Sequence, residues 1–195
     1  MMAINKYKKV YVIGLAFAML LVSCLYVYDT NKPITQLTIQ GKHVYYNNVD
    51  DLEAKADLII VGASLKEFSE YIPTIIYNEF GRYENFYTIT DVKVSKVLKG
   101  QYQNNTIPVL QNAAIDKKEK IMLVDDGYSV MEKNKGYLLF LKKSPLEGYY
   151  ILGINQGKHN IDNTDNNEKE TMKKDSLYKK LRQEVLVRFS DKLFN

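Results

Sequence analysis

The segment from residue 57 to residue 162 consists of short apolar runs separated by turn residues, and this pattern limits the folds open to the chain. The first run, DLIIVGASLKEF at 57–68, has four aliphatic residues in succession, which predicts a buried strand with a bend at Gly62. Further short strands are predicted at TIPVLQN, KIMLV, GYLLFLKK and GYYILGINQGKHNI, with KKE, DDG and SPLEG as turns. Five or six short strands in this order predict a small, closed or nearly closed antiparallel barrel.

The longest predicted strand, NFYTITDVKVSKVLKG at 85–100, changes the parity of its apolar positions. Tyr87 and Ile89 are odd-numbered, whereas Val92 and Val94 are even-numbered. Because successive side chains of a strand alternate between its faces, the change predicts a β-bulge. Bulges are used in strongly curved strands, so this one favours a barrel over a flat sandwich.

Helices are predicted on both sides of the strands. Asp50 and Glu53 have the spacing of a capping box and predict a short helix before the first barrel strand. Ahead of it, TQLTIQGKHVYYN predicts a β-hairpin with its turn at Gly41 and Lys42. After the polar linker DNTDNNEKE, a C-terminal amphipathic helix is predicted from apolar residues at steps of four, namely Leu177, Leu181, Val185 and Phe189.

The final helix also carries the basic residues Lys179, Lys180, Arg182 and Arg188. One interpretation is that these residues face anionic lipid. The other is that the helix packs its apolar side against the barrel.

The N-terminus has three lysines within residues 6–9, followed by the apolar run VYVIGLAFAMLLVS of 14 residues. A short basic segment before an apolar run of this length is typical of a secretory signal peptide. The tetrapeptide LVSC at 21–24 resembles the lipobox of bacterial lipoproteins, in which the cysteine receives diacylglycerol. This resemblance implies lipid attachment at Cys24.

A second interpretation of this segment stays open. LYVY at 25–28 extends the apolar run to 19 residues, which is long enough for a transmembrane helix. Cys24 is then an ordinary residue of an uncleaved anchor. The preceding lysines keep the N-terminus in the cytoplasm in either case, so the folded part is predicted on the extracytoplasmic face of the cell membrane.

Charge and cysteine content exclude several classes of function. Three of the 27 basic residues precede the apolar run, which leaves 24 against 23 acidic residues in the rest of the chain. A folded part so close to neutrality lacks the cationic footprint that nucleic-acid binding needs. Cys24 is the only cysteine, so the folded part has no disulfide, thiolate metal site or catalytic cysteine.

Several features of residues 50–162 occur together in one family. They are Ala56-Asp57 before the first strand, Gly62, VLKG at 97–100, GYLLFL at 136–141 and Gly157. With these features the segment resembles a largely uncharacterised family of extracytoplasmic lipoproteins of Gram-positive bacteria. The core of that family is a netrin-like, OB-type barrel like that of the tissue inhibitors of metalloproteinases.

The resemblance implies a mainly β (α+β) fold, a small five- to six-stranded antiparallel OB-like barrel with a short N-terminal helix and a C-terminal amphipathic helix. The predicted organisation is an anchor at 1–28, a linker and short β-hairpin at 29–49, the barrel at 50–162, and a polar linker and helix at 163–195. The animal inhibitors bind protease zinc through an N-terminal cysteine locked by disulfides. Cys24 has no disulfide partner and lies far before the barrel, so zinc-chelating inhibition does not carry over.

The sequence shows no catalytic or metal-binding constellation. His43 and His159 lie in separate elements and are interpreted as half-exposed strand residues rather than metal ligands. Ser64 in VGASL lacks the pattern of a nucleophile elbow, and DNTDNNE lacks the glycine and terminal glutamate of a calcium loop. The prediction is a protein that is not an enzyme and uses no metal or cofactor.

One segment, SEYIPTIIYNEFGRYEN at 69–85, is predicted as a long loop that contacts a ligand. Long loops in compact domains tend to be functional, and in OB barrels the equivalent loop joins the ligand face. The alternative is a lid or extra helix packed on the barrel. The predicted contact residues are Tyr71, Ile75, Ile76, Tyr77, Phe80 and Tyr83.

Together these observations predict a membrane-anchored, extracytoplasmic, non-catalytic binding module. Its predicted partners are the cytoplasmic membrane, through the anchor, and an envelope protein, peptide or wall glycan, through the loop. The alternative prediction is an inhibitor or regulator of an extracytoplasmic peptidase, which rests on the resemblance in fold alone.

Overall fold

The computed structural model describes residues 17, 19–23 and 33–194. The chain divides into two compact units, residues 1–35 and 36–195. In the first unit the described residues 17 and 19–23 are helical and exposed, while Cys24 lies outside the described residues. Within the described ranges, no helix is both long enough and apolar enough to cross a membrane.

The second unit contains ten strands and three helices among its described residues. The strands are β1 (Thr35–Ile39), β2 (Leu58–Ser64), β3 (Pro73–Tyr77), β4 (Tyr83–Lys99), β5 (Thr106–Gln111), β6 (Ala113–Asp116), β7 (Ile121–Asp125), β8 (Tyr137–Lys143), β9 (Tyr149–Ile151) and β10 (Lys158–Asn160). The helices are α1 (Val49–Lys55), α2 (Asn166–Lys174) and α3 (Ser176–Phe194), and a 3-10 turn spans Phe68–Glu70.

Five strands close a barrel in the order β8-β2-β4-β5-β9, and β9 returns to β8. The predicted mainly β, α+β barrel is therefore confirmed. The prediction that all its pairs are antiparallel is wrong, because β5 and β9 run parallel, with Val109 opposite Tyr149. An odd number of strands in a closed ring cannot alternate in direction throughout, so one parallel pair is unavoidable.

A three-stranded sheet in the order β1-β7-β6 was not predicted. Strand β6 follows β5 after the single residue Asn112 and forms a hairpin with β7, in which Ala113 lies opposite Val124. The polar end of β6 is Asp116, opposite Ile121. This hairpin places Asp116 beside Tyr77 of β3.

Strand β4 contains bulges, but not where the apolar parity predicted them. Its register against β2 shifts between Ile59 and Ile60 and again between Val61 and Gly62, which lie opposite residues 94–99 of β4. At the predicted position the inward side chains are instead the buried threonines Thr88 and Thr90. Each threonine hydroxyl donates to a backbone carbonyl of a neighbouring strand, so the polar residues lie inside without loss of hydrogen bonds.

The continuous apolar run GYLLFLKK is explained by burial of both faces of β8. Tyr137 and Leu139 point into the barrel, whereas Leu138 and Phe140 pack outward with α1 and α3. The α3 residues on this outer layer are Leu181, Val185 and Phe189, all buried. Packing of the C-terminal helix is thus confirmed, although Leu177 is partly exposed.

The predicted hairpin at residues 35–47 does not form. Strand β1 pairs with β7 instead, and residues 40–46 have no strand structure. The amide of Gln156 takes the place of a partner strand: its oxygen accepts from Tyr46 N–H at 2.7 Å and its nitrogen donates to Tyr46 C=O at 2.9 Å. His43 is fixed similarly, with Nε2 3.0 Å from a carboxylate oxygen of Asp125.

The polar segment after β10 is not a linker but contains α2. Asp165 caps this helix by accepting from Asn167 N–H at 2.8 Å and Glu168 N–H at 3.1 Å. The short helix α1 forms as predicted, but its cap is Asn48, which accepts from Asp51 N–H at 2.8 Å, rather than Asp50. In both cases the cap satisfies amides that an isolated helix end leaves free.

Candidate functional site

Residues 69–85 form a β-hairpin rather than the long loop that the sequence predicted. Strand β3 pairs antiparallel with the first residues of β4, with Pro73 opposite Thr88 and Ile75 opposite Phe86. Strand β2 pairs with the later part of β4, so β2 and β3 follow the same edge of that strand. The prediction failed because β4 begins earlier than its apolar pattern indicated.

The turn of this hairpin is built by Asn78 and Gly81. The Asn78 side-chain oxygen accepts from Phe80 N–H and Arg82 N–H, both at 3.0 Å. Gly81 has a φ of +72°, which a glycine adopts without strain. The turn is therefore held by local hydrogen bonds, and the side chain of Phe80 is free to point away from it.

The segment from residue 65 to residue 80 presents a set of exposed apolar side chains. Ile72 is 89% exposed and Phe80 is 75% exposed. Leu65, Ile76 and Tyr77 are exposed as well. Exposed apolar residues grouped in one segment mark a contact surface more often than scattered ones do. We call these five residues the hairpin surface.

A cleft of about 340 Å³ lies between β3 and the end of β6. Tyr71, Ile75 and Tyr77 line it from the hairpin side, and Ile115 and Asp116 line it from β6. Strand β3 is paired along one side only, with β4, and β6 is the outer strand of its sheet among the described residues. In the part of the chain that the structure describes, the edge of β3 beside the cleft is therefore unpaired, whereas all four residues of β6 are buried.

Asp116 fastens the hairpin to the smaller sheet. Its carboxylate accepts from Tyr77 O–H at 2.7 Å and from Tyr83 O–H at 3.2 Å. Its other oxygen accepts from the backbone N–H groups of Lys118 and Glu119, each at 3.1 Å. Both tyrosine rings pack together, with centroids 5.2 Å apart.

These contacts shift the pKa values of all three groups. The hydrogen bond to Asp116, followed by burial, raises the pKa of Tyr77 to about 12. Burial and then the charge of Asp116 raise the pKa of Tyr83. Burial alone would raise the pKa of Asp116, but the hydrogen bonds from the tyrosines and the backbone amides outweigh it and lower that pKa. Asp116 is therefore an anion at neutral pH.

The six predicted contact residues separate into three groups. The first lines the cleft (Tyr71, Ile75, Tyr77), the second is exposed (Ile76, Phe80), and the third binds Asp116 (Tyr83). Tyr71 is itself buried, and its hydroxyl donates to Asp91 C=O at 3.1 Å. Sequence reasoning missed Asp116, since AAID at 113–116 is too short and too small in its side chains to stand out as a strand.

A second polar cluster lies under the helices, where sequence reasoning saw only a linker. The Glu168 carboxylate accepts from Arg182 Nε at 3.1 Å, from Asn160 N–H at 2.9 Å and from Tyr178 O–H at 2.5 Å. Glu168 and Arg182 are both buried. Arg182 therefore does not face lipid, which corrects one interpretation of the basic residues in α3.

The two histidines have different surroundings. His159 on β10 is fully buried, stacked on Tyr178 with centroids 5.6 Å apart and edge-on to Phe140. The interpretation of His159 as half-exposed is therefore wrong. His43 is half-buried beside Asp125 but lies outside any strand. Within the described part of the chain, no group of three or more His, Cys, Asp and Glu residues could hold a metal ion.

Comparison with protein-family models, with curated proteins and with solved structures finds no match for this chain.

Proposed function

We propose that this protein is a membrane-anchored extracytoplasmic binding module that holds a partner protein or peptide on its hairpin surface. The observation that carries the proposal is the exposure of Ile72 and Phe80 on a hairpin with a fixed backbone. Burying such side chains against a partner removes apolar area from water at no cost in loop ordering. A polypeptide fits better than a glycan because the unpaired edge of β3 supplies backbone groups for pairing.

The barrel supplies the rigid support for this surface, and we propose that it is OB-like and netrin-like. Its five closed strands and the long curved β4 support that assignment. The hairpin is attached at three points: the ladder between β3 and β4, the Tyr71 hydroxyl, and the Asp116 carboxylate. A surface fixed in this way loses little conformational entropy when a partner binds.

Single substitutions on the hairpin surface test the proposal. Phe80→Ser and Ile72→Ser are each expected to reduce partner recovery about 10-fold, because each removes apolar area of the size that anchors interfaces. The measurement is crosslinking of the full-length anchored chain in native envelopes, followed by affinity recovery and mass spectrometry.

Val187→Ser is the matched control, since Val187 is 76% exposed but lies on α3. We expect this variant to recover the same partner as the unchanged chain, and all three variants to keep the same melting temperature. If Phe80→Ser and Ile72→Ser recover as much partner as the unchanged chain, the hairpin surface is not the binding site. Retention of isolated wall glycan with no enriched protein would identify a glycan-binding module instead.

The anchor is tested separately at Cys24. Metabolic labelling with an alkyne fatty acid is expected to label the full chain, and Cys24→Ala is expected to remove the label, because the thiol accepts the lipid. Because cleavage before Cys24 follows lipid attachment, Cys24→Ala is also expected to keep residues 1–23. A label that persists in Cys24→Ala would contradict lipid attachment at Cys24. An unlabelled unchanged chain that keeps residues 1–23 would indicate an uncleaved helical anchor.

A further inference from the structure

Another cleft of the second unit lies away from the hairpin, between α2 and the end of β7. Its volume is about 440 Å³. Its lining includes Gly127, Tyr128 and Ser129 after β7 and Glu170, Lys174 and Asp175 around the end of α2. Ser129 is half-buried, so its hydroxyl stands at the boundary between this cleft and the barrel interior.

Lys158 approaches the same hydroxyl from inside the barrel. Its Nζ lies 3.0 Å from Ser129 Oγ and also donates to the Ser129 carbonyl. Lys158 Nζ also lies over the rings of Tyr128 and Tyr137, 5.2 and 5.8 Å from their centroids. Lys158 is 1% exposed, so its amine is shielded from water.

The environment of Lys158 brings loss of its proton closer to neutral pH than in an exposed lysine. Burial lowers the pKa of Lys158 to about 8, although Asp165, Glu168 and Glu132 act to raise it. A lysine desolvated in this way becomes a base that can take a proton from a neighbouring hydroxyl. The rings of Tyr128 and Tyr137 stabilise the ammonium that results.

We propose that Ser129 is a nucleophile for acyl transfer and Lys158 its base, acting on an ester or amide carbonyl bound in the cleft beside α2. The geometry is a nucleophile and base in hydrogen-bond contact, with the nucleophile open to a cleft. This activity goes beyond the proposed binding function and does not involve the hairpin surface. It also differs from the sequence-based prediction of a protein without enzyme activity.

The chemical step balances without any other group. The Ser129 O–H bond breaks, its proton passes to neutral Lys158 Nζ, and Oγ forms a bond to the carbonyl carbon. The ammonium then returns the proton to the departing alcohol or amine. Neutral Lys158 Nζ next takes a proton from water, and the hydroxide forms a bond to the acyl carbon. The bond from that carbon to Oγ then breaks, the ammonium returns the proton to Oγ, and the acid leaves with Ser129 restored. Carboxylates at the cleft, Glu170 and Asp175, favour a neutral or cationic substrate over an anionic one.

A fluorophosphonate probe tests this directly, since attack by a serine displaces fluoride and leaves a stable adduct. The full chain in detergent is expected to gain one phosphonyl group at Ser129, mapped by peptide mass spectrometry. The labelling rate is expected to rise with pH with a midpoint near 8, as Lys158 loses its proton. Ser129→Ala is expected to abolish the label, and Ser190→Ala, which changes an exposed serine of α3, to leave it intact.

Lys158→Met is expected to slow labelling about 100-fold, the size of a lost general base. If this variant does not fold, Ser129→Cys and Ser190→Cys are compared with iodoacetamide. The buried amine predicts that the thiol from Ser129→Cys alkylates about 10-fold faster at neutral pH, despite its lower exposure. No adduct on Ser129 at alkaline pH, unchanged labelling in a folded Lys158→Met variant, or equal alkylation of the two thiols would overturn the proposal.

Discussion

Replacing Arg182 by methionine is expected to lower the free energy of unfolding by about 3–5 kcal/mol, the usual cost of leaving one partner of a buried ion pair behind. Arg182 Nε bonds the Glu168 carboxylate at 3.1 Å, and its terminal nitrogen donates to Asn160 C=O at 2.8 Å. Without Arg182 the buried carboxylate of Glu168 loses its only cationic partner within hydrogen-bond distance among the described residues. Urea unfolding of the full chain measures the change.

Arg188→Met is the matched control, since Arg188 pairs with Asp50 and Glu53 at the surface. Exposed pairs contribute little, so this variant is expected to unfold close to the unchanged protein. The double change Arg182→Met with Glu168→Gln is expected to recover part of the loss. Glutamine carries no charge, yet its oxygen can still accept from Asn160 N–H and Tyr178 O–H. A double variant no more stable than Arg182→Met would show that the charge on Glu168 is not the source of the cost.

The barrel was predictable because its strands follow the alternation of buried and exposed positions or are apolar throughout. The run at 136–141 indicates a strand by its length and β-forming residues, and the structure buries both of its faces. How the ring closes was not predictable, because the run GYYILGINQGKHNI, predicted as one strand, contains two short strands, β9 and β10. Strand β9 completes the ring by pairing with β5 and β8, and the sequence does not show where the run divides.

The polar interior was invisible to sequence reasoning for a different reason. Glu168 lies in a segment with the composition of a solvated loop and Arg182 on a helix with many basic residues, while Lys158 lies in a predicted strand whose pattern does not bury it. Their burial depends on partners that are distant in the chain, as with Lys158 and Ser129. A single sequence shows the polarity of each residue but not the pairing that allows it to be buried.

Residues 69–85 were only partly predictable from the sequence. The prediction selected residues 69–85 because aromatic and aliphatic side chains are dense there, and that they contact a ligand stays a prediction. The predicted backbone was wrong, since Pro73–Tyr77 was not recognised as a strand and β4 begins at Tyr83 rather than at Asn85. Composition thus indicated an apolar segment, but not its hairpin or Asp116, which binds Tyr77 and Tyr83.

Acidification is expected to destabilise the protein through His159. Burial, followed by the charge of Arg182, lowers the pKa of His159 from 6.5 to about 3. The unfolded chain therefore binds a proton at His159 below pH 6.5, whereas the folded protein does not bind it until the pH approaches 3. The stability that neutral His159 contributes is fully present above pH 6.5. It is lost as the pH falls from 6.5 towards 3, by roughly 1.4 kcal/mol for each pH unit.

The measurement is the free energy of unfolding in urea between pH 6.5 and about pH 4.5, a range above the titration of most carboxyl groups. We expect a loss of about 2 kcal/mol over this range in the unchanged protein. His159→Phe should flatten the dependence, because an uncharged ring can keep the stacking on Tyr178. His43→Phe changes the other histidine, which is half-buried beside Asp125. This variant should keep the pH dependence of the free energy of unfolding that arises from His159. A slope that survives in His159→Phe would assign the acid sensitivity to the carboxyl groups rather than to the buried imidazole.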